Sequence, residues 1–177
     1  MGARIIGTGS AVPSTCLTNA DMEKRVATSH DWIVTRTGIE ERRAIKQREN
    51  ILDLMHEASA QALHASGMKA KDLQAIVVAT VSGDYYFPST ACLLQARLGV
   101  DTIPAFDVNA ACAGFVYGMS VVHSYAKSGD YNRMLLVGAD ALSTMVNWQD
   151  RSTCVLFGDG AGAVVLDVQP DNRGLLS

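Results

Sequence analysis

The chain has 177 residues, 48% of them hydrophobic and 19% charged, with a formal net charge of -3. That length supports one domain with a sizeable core, and the composition is too apolar for a disordered chain. The small negative charge argues against a nucleic-acid binder, and no apolar run approaches the ~20 residues that cross a bilayer.

Met1 to Pro13 lack the charged-then-apolar order of a signal peptide, so a cytoplasmic location is expected. Arg4 to Gly9 reads as a short strand and Ser10 to Pro13 as a turn. Thr18 to Val26 reads as a helix capped by Thr18 or Asn19, and Ser29 caps another over His30 to Thr35. Asn50 opens a longer helix, because Ile51, Leu54, Met55, Ala58, Ala62 and Leu63 recur at helical spacing before Gly67. Ala75 to Val81 is a continuous apolar run, the pattern of a strand buried on both faces.

Ser89 to Leu98 is a helix stopped at Gly99, and Ile103 to Val108 a strand. Cys112 to Ser128 is a helix ended by Gly129, and Arg133 to Ala139 another buried strand. Val155 to Phe157 and Ala161 to Val168 flank Gly158-Asp159-Gly160 and read as a hairpin. Alternating strands and helices that close on a hairpin predict an α/β fold with a mixed sheet. The helix from Cys112 through Tyr125 carries no charge. A helix apolar all round belongs in the middle of a protein, and few elements remain here to cover it on both faces.

The four cysteines, Cys16, Cys92, Cys112 and Cys154, contain no Cys-x-x-Cys pair, and His30, His56, His64 and His123 share no ligand spacing with them. Neither a disulfide framework nor a metal site is expected. Cys112 stands where a strand, a short turn and an apolar helix meet, in Asp-Val-Asn-Ala-Ala-Cys-Ala-Gly-Phe from Asp107 to Phe115. Free backbone N–H groups and the positive end of a helix dipole there favour a thiolate and can hold a developing oxyanion. A free cysteine is also commonly a small buried hydrophobe, so position alone leaves both roles open. Cys16, Cys92 and Cys154 read as structural. Gly7-Thr8-Gly9 and Gly158, Gly160 and Gly162 lack a complete nucleotide fingerprint and read as tight turns.

Four motifs in order resemble β-ketoacyl-acyl-carrier-protein synthase III. They are Ile6-Gly7-Thr8-Gly9-Ser10 with Pro13 and Leu17-Thr18-Asn19, then Trp32 to Ile39 with Glu41-Arg42-Arg43, the cysteine segment Asp107 to Phe115, and Asp150-Arg151 with Phe157 to Ala163. The resemblance implies one half of the thiolase-like αβαβα layered fold, with a mixed, mostly parallel five-stranded sheet and a buried central helix. It implies residues 1–177 as an amino-terminal domain, with the carboxy-terminal half outside this chain. The activity implied is decarboxylative condensation of an acyl-CoA, commonly acetyl-CoA, with malonyl-acyl-carrier protein through a cysteine thioester. That reaction initiates type II fatty-acid synthesis.

By the same resemblance Cys112 is the nucleophile. Thr28, Trp32, Arg36 and Arg151 hold coenzyme A, which is a substrate, and no cofactor is implied. Leu142 and Phe157 line the acyl pocket, and Phe87 reaches across a homodimer into the partner's pocket; Met145 lies near that region. Alone, Arg36 and Arg151 also suit surface ion pairs, and Trp32 a half-buried core position. The family's histidine and asparagine for decarboxylation lie in the second half, so this chain is expected to be incomplete without it. Arg42, Arg43, Lys46 and Arg48 form a positive run that suits an acidic carrier protein or a solvated loop. A starter enzyme of specialised metabolism and a non-catalytic dimerisation half remain as alternatives.

Overall fold

Capping side chains fix where the helices begin. The computed structural model describes residues 2–46, 49–169 and Gly174. Helix α1 (Asn19–Glu23) is capped by Thr18, α2 (His30–Thr37) by Ser29 and α3 (Ile51–Ser66) by Asn50, whose Oδ1 accepts from Asp53 N at 2.8 Å. Ser89 caps α4 (Thr90–Arg97). Helix α5 (Gly114–Ser128) follows a 3-10 turn at Ala111–Ala113, and Asp150 caps the short α6 (Arg151–Cys154). Gly38, Gly67 and Gly129 end α2, α3 and α5 in the left-handed region that glycine enters freely.

The described residues also form seven strands: β1 (Gly2–Ala11), β2 (Cys16–Thr18), β3 (Glu41–Arg43), β4 (Ala75–Ala79), β5 (Ala105–Val108), β6 (Arg133–Ala141) and β7 (Asp159–Gln169). Five form a sheet in the order β1-β7-β6-β4-β5. Strands β6, β4 and β5 are parallel neighbours, and β7 runs antiparallel to both β6 and β1. Four of the five strands therefore share one direction, a mixed and mostly parallel sheet as expected.

The two faces of the sheet carry separate cores. Ile76, Val78, Leu135, Val137 and Val165 face α3 and α4, while Ala75, Val77, Leu136 and Leu166 face α5. The alternation follows the two-residue period of a strand. Each valine, leucine or isoleucine among them, removed from water, contributes about 1.5–3 kcal/mol. A third, small core joins Met22 of α1, Ile33 of α2, Cys154 of α6 and Val155, with Trp32 and Trp148 packed against it.

Four expectations change. The β1 glycines are not a turn: a Cβ on Gly9 would lie 2.1 Å from Ala58 O, and one on Gly7 2.2 Å from Ala62 O. Their missing side chains let α3 rest directly on the β1 backbone. Val155 to Phe157 is not a strand, because the Asp150 cap starts a helix upstream and Val155 turns into the third core. The hairpin partners of β7 are instead β6 and β1.

Strands β2 and β3, unforeseen, form a small antiparallel ribbon. That ribbon dismantles the positive run. Arg42 is only 5% exposed and donates to Leu17 O, Asn19 Oδ1 and Val155 O at 2.9–3.2 Å, while Arg43 pairs with Glu41. Burial pulls the Arg42 pKa below the usual guanidinium value. Arg48 lies outside the described residues.

Helix α5 is buried on one side only. Gly114, Gly118, Val122 and Ala126 make a line at four-residue spacing against the sheet, where a Cβ on Gly118 would meet Leu136 Cδ1 at 2.6 Å. Val116 and Tyr117, at 63% and 57% exposure, face away from it.

The glycine contacts carry a stability prediction. Gly9→Ala forces backbone apart and should lower stability by about 2–4 kcal/mol, read as a lower urea midpoint at unchanged slope. Gly162→Ala, whose methyl meets nothing within 4 Å, should stay within about 1 kcal/mol of the parent. A G9A chain as stable as the parent contradicts the contact.

Candidate active site

Cys112 sits in the 3-10 turn that joins β5 to α5, and it is exposed. Ala111 beside it has φ 46°, a left-handed conformation that costs a residue with a Cβ about 1–2 kcal/mol. Nothing in an alanine announces that geometry. Beneath the turn lies a cavity of 330 Å³ lined by Ala79, Ala111, Cys112, Phe115 and Gly138, and beyond these by Ala139, Asp140, Gly160 and Gly162. Its floor is made where β4 and β6 end and β7 begins, from residues that, Asp140 apart, have little or no side chain. A Cβ on Gly138 would lie 3.1 Å from the Phe115 ring. The glycines after Phe157 thus have a role that a tight turn does not describe: they keep the space under Cys112 open.

The same two strands lead onward. The residue after β6 is Leu142, and Phe157 lies just before β7; both line a 270 Å³ cavity with Met145, Val146, Asn147 and Thr153. The turn carrying Leu142 is fixed by Asp159, a buried carboxylate. It accepts from Ser143 N at 2.8 Å, from Ile45 N at 2.7 Å and from the Ser143 hydroxyl. Sequence reasoning placed Asp159 in a turn, with no signal for the partners 16 and 114 residues away. Phe87 stands apart from this cavity within the chain and is 89% exposed.

Thr153 of that cavity is two residues from Arg151, which lines a third cavity of 390 Å³ with Ala27, Thr28, Ser29 and Trp32. The Arg151 guanidinium lies 4.6 Å from the Trp32 ring centroid and donates to Ala27 O at 3.0 Å. Arg36, off the lining, stacks on the same ring at 4.5 Å. Neither arginine forms an ion pair among the described residues. Trp32 is half-buried against the third core, so its structural role and its place in the slot coexist. Thr28 Oγ1 is buried with no hydrogen-bond partner among the described residues. Thr28, Trp32, Arg36 and Arg151 therefore come together, as do Leu142 and Phe157.

Among the described residues no three His, Cys, Asp or Glu side chains gather as a metal site, and no helix is long and apolar enough to cross a membrane.

A mixed sheet between helices, with a cysteine turn over its glycine-floored end, defines a half of the thiolase-like fold. The profile of the 3-oxoacyl-[acyl-carrier-protein (ACP)] synthase III family matches residues 106–177. A β-ketoacyl-[acyl-carrier-protein] synthase III of Xanthomonas campestris is 54% identical over 99% of this chain and 54% of its own length. The crystal structure of the Aquifex aeolicus 3-oxoacyl-[acyl-carrier-protein] synthase III superposes with a TM-score of 0.94 at 49% identity, covering 96% of this chain and 55% of that one. A priming β-ketosynthase from a polyketide biosynthetic pathway superposes at 0.92 with 32% identity, over 95% of this chain and 50% of its own. Over almost its whole length the chain is thus similar to part of β-ketoacyl-acyl-carrier-protein synthases III. It spans about half the length of the curated relatives it matches.

The four thiols should differ in reactivity. Burial pushes the Cys154 thiol up, and a hydrogen bond to Glu41 does the same for Cys16, so each holds less thiolate at neutral pH. Iodoacetamide on the folded chain should therefore alkylate Cys112 at least about tenfold faster than Cys154, measured by peptide mapping. Equal rates contradict the exposed placement of Cys112.

Proposed function

We propose that this chain is the acyl-accepting half of a cytoplasmic, homodimeric β-ketoacyl-acyl-carrier-protein synthase III. The observation that carries the reading is the exposed Cys112 over a cavity kept open by glycines, on the strands that lead to Leu142 and Phe157. Trp32, Arg36, Arg151 and Thr28 hold the coenzyme A end of an acyl thioester. The indole offers a flat face to adenine, the guanidiniums meet phosphate oxygens, and the unpartnered Thr28 hydroxyl gains a polar neighbour.

The Cys112 thiolate attacks the thioester carbonyl, and the backbone N–H of Cys112 donates to the oxyanion that forms. Collapse breaks the carbon–sulfur bond to coenzyme A, which leaves as a thiolate and takes up a proton. Cys112 then carries the acyl group. In the second stage the malonyl thioester of an acyl carrier protein loses CO2, and the resulting carbanion attacks the Cys112 thioester. β-Ketoacyl-carrier protein leaves and the thiolate is restored. A histidine and an asparagine of a second half assist that stage, and the same half covers the outward face of α5 at Val116 and Tyr117. Residues 1–177 form one domain of the assembled enzyme.

A second reading, a starter enzyme of specialised metabolism, is favoured by the likeness to the polyketide priming enzyme. A panel of acetyl-, longer acyl- and aryl-CoA donors separates the two by which one labels Cys112 fastest.

With the second half supplied, acetyl-CoA should add one acetyl group to the intact mass, and Cys112→Ala should abolish it. An unlabelled parent leaves the non-catalytic dimerisation reading in place. Arg151→Ala should raise the acyl-CoA concentration for half-maximal acylation about tenfold with little change at saturation, the pattern of lost uniform binding.

A further inference from the structure

Between β4 and α4 the chain forms a loop whose neck is held by two carboxylates from the strands on either side of β4. Asp140, near the end of β6, accepts through Oδ1 from Val81 N at 2.8 Å, Ser82 Oγ at 2.9 Å and Thr80 Oγ1 at 3.2 Å. The Ser82 hydroxyl in turn accepts from Ala141 N at 2.7 Å. Across the neck, Asp107 of β5 accepts from Thr90 N at 2.8 Å and Ala91 N at 2.7 Å, which fixes the first turn of α4. Gly83 closes the pinch, since a Cβ there would lie 2.5 Å from Thr90 Oγ1. Beyond the neck stand three consecutive exposed aromatic side chains, Tyr85, Tyr86 and Phe87.

Both carboxylates belong to the surroundings of the cysteine. Asp140 lines the Cys112 cavity, and Asp107 lies on the strand that runs into the Cys112 turn. The Asp140 oxygen nonetheless spends its lone pairs on the loop. A loop this exposed has little packing to direct its side chains, so its direction depends on how the neck is tied.

We propose that Asp140 is a positioning residue that sets acyl-chain preference, by fixing the neck from which Phe87 is directed into the pocket of the partner subunit. The proposal rests on the reading of Cys112 as acyl acceptor and Phe87 as a wall of the partner's acyl pocket. A fixed aromatic wall limits pocket depth. An untied one lets longer chains enter.

The test measures kcat/KM for Cys112 acylation by acetyl-CoA and octanoyl-CoA, in the assembled dimer with the second half supplied. Asp140→Ala and Phe87→Ala should each lower the acetyl-to-octanoyl ratio by about 5- to 10-fold, and the double variant should lower it no further. Asp140→Asn, whose amide oxygen still accepts from Val81 N, should retain most of the ratio. Hydrogen exchange at Val81 should quicken in D140A and not in F87A. Should D140A fail to fold, Ser82→Ala removes both bonds of its hydroxyl, to Asp140 and from Ala141 N, at a residue outside the Cys112 cavity lining, and should lower the ratio in the same direction.

An equal loss with both donors, or effects that multiply in the double variant, overturns the proposal and places Asp140 at the cysteine itself. An unlabelled parent overturns the functional reading and this one with it. A labelled parent with an unchanged ratio in D140A overturns this one alone.

Discussion

A buried carboxylate stripped of water is costly unless donors fill its lone pairs. Asp159 meets that condition with Ser143 N, the Ser143 hydroxyl and Ile45 N. The bonds tie the start of β7 to the turn after β6 and to the segment that leaves β3. Three cavities hang from this junction. The Cys112 cavity takes its floor from the ends of β6 and β7, and the next begins at Leu142 and Phe157, on either side of the tie. The slot at Trp32 follows, because α6 is the short link between the two.

Around the junction, absence of side chain does as much as presence. Gly7 and Gly9 bring α3 onto β1, Gly118 brings α5 onto Leu136, and Gly138 makes room for Phe115. Gly160 and Gly162 share the Cys112 cavity, and an added Cβ at Gly162 meets nothing within 4 Å. Two uses of glycine are thus distinct here: one lets backbone touch backbone, the other leaves space for something to enter.

Helix starts and buried strands were legible because their causes are local. Thr18, Ser29, Asn50 and Ser89 cap within three residues of themselves, and the runs around Val77 and Leu136 are apolar on both faces. Of the site, Cys112 was legible from a strand, a turn and a helix in sequence, and the slot residues from the family motifs. What escaped depends on partners far along the chain. Arg42 looks like a surface cation until the carbonyl of Val155, 113 residues away, accepts a hydrogen bond from it. Val155 to Phe157 has the composition of a strand, yet the third core claims Val155. Ala111 carries no mark of its left-handed turn, and Asp140 and Asp159 show their use only once β6 and β7 lie side by side.

The third core has an optical consequence. The chain has two tryptophans, and both pack against Met22, Ile33, Cys154 and Val155. Trp32 lies beneath Arg36 and Arg151, and Trp148 beneath Arg25 at 4.8 Å. All indole emission of this polypeptide therefore arises from one corner, under guanidinium groups, beside the slot that Thr28 and Arg151 line. The molecule carries its own spectroscopic label there, and the rest of the sheet is dark at that wavelength.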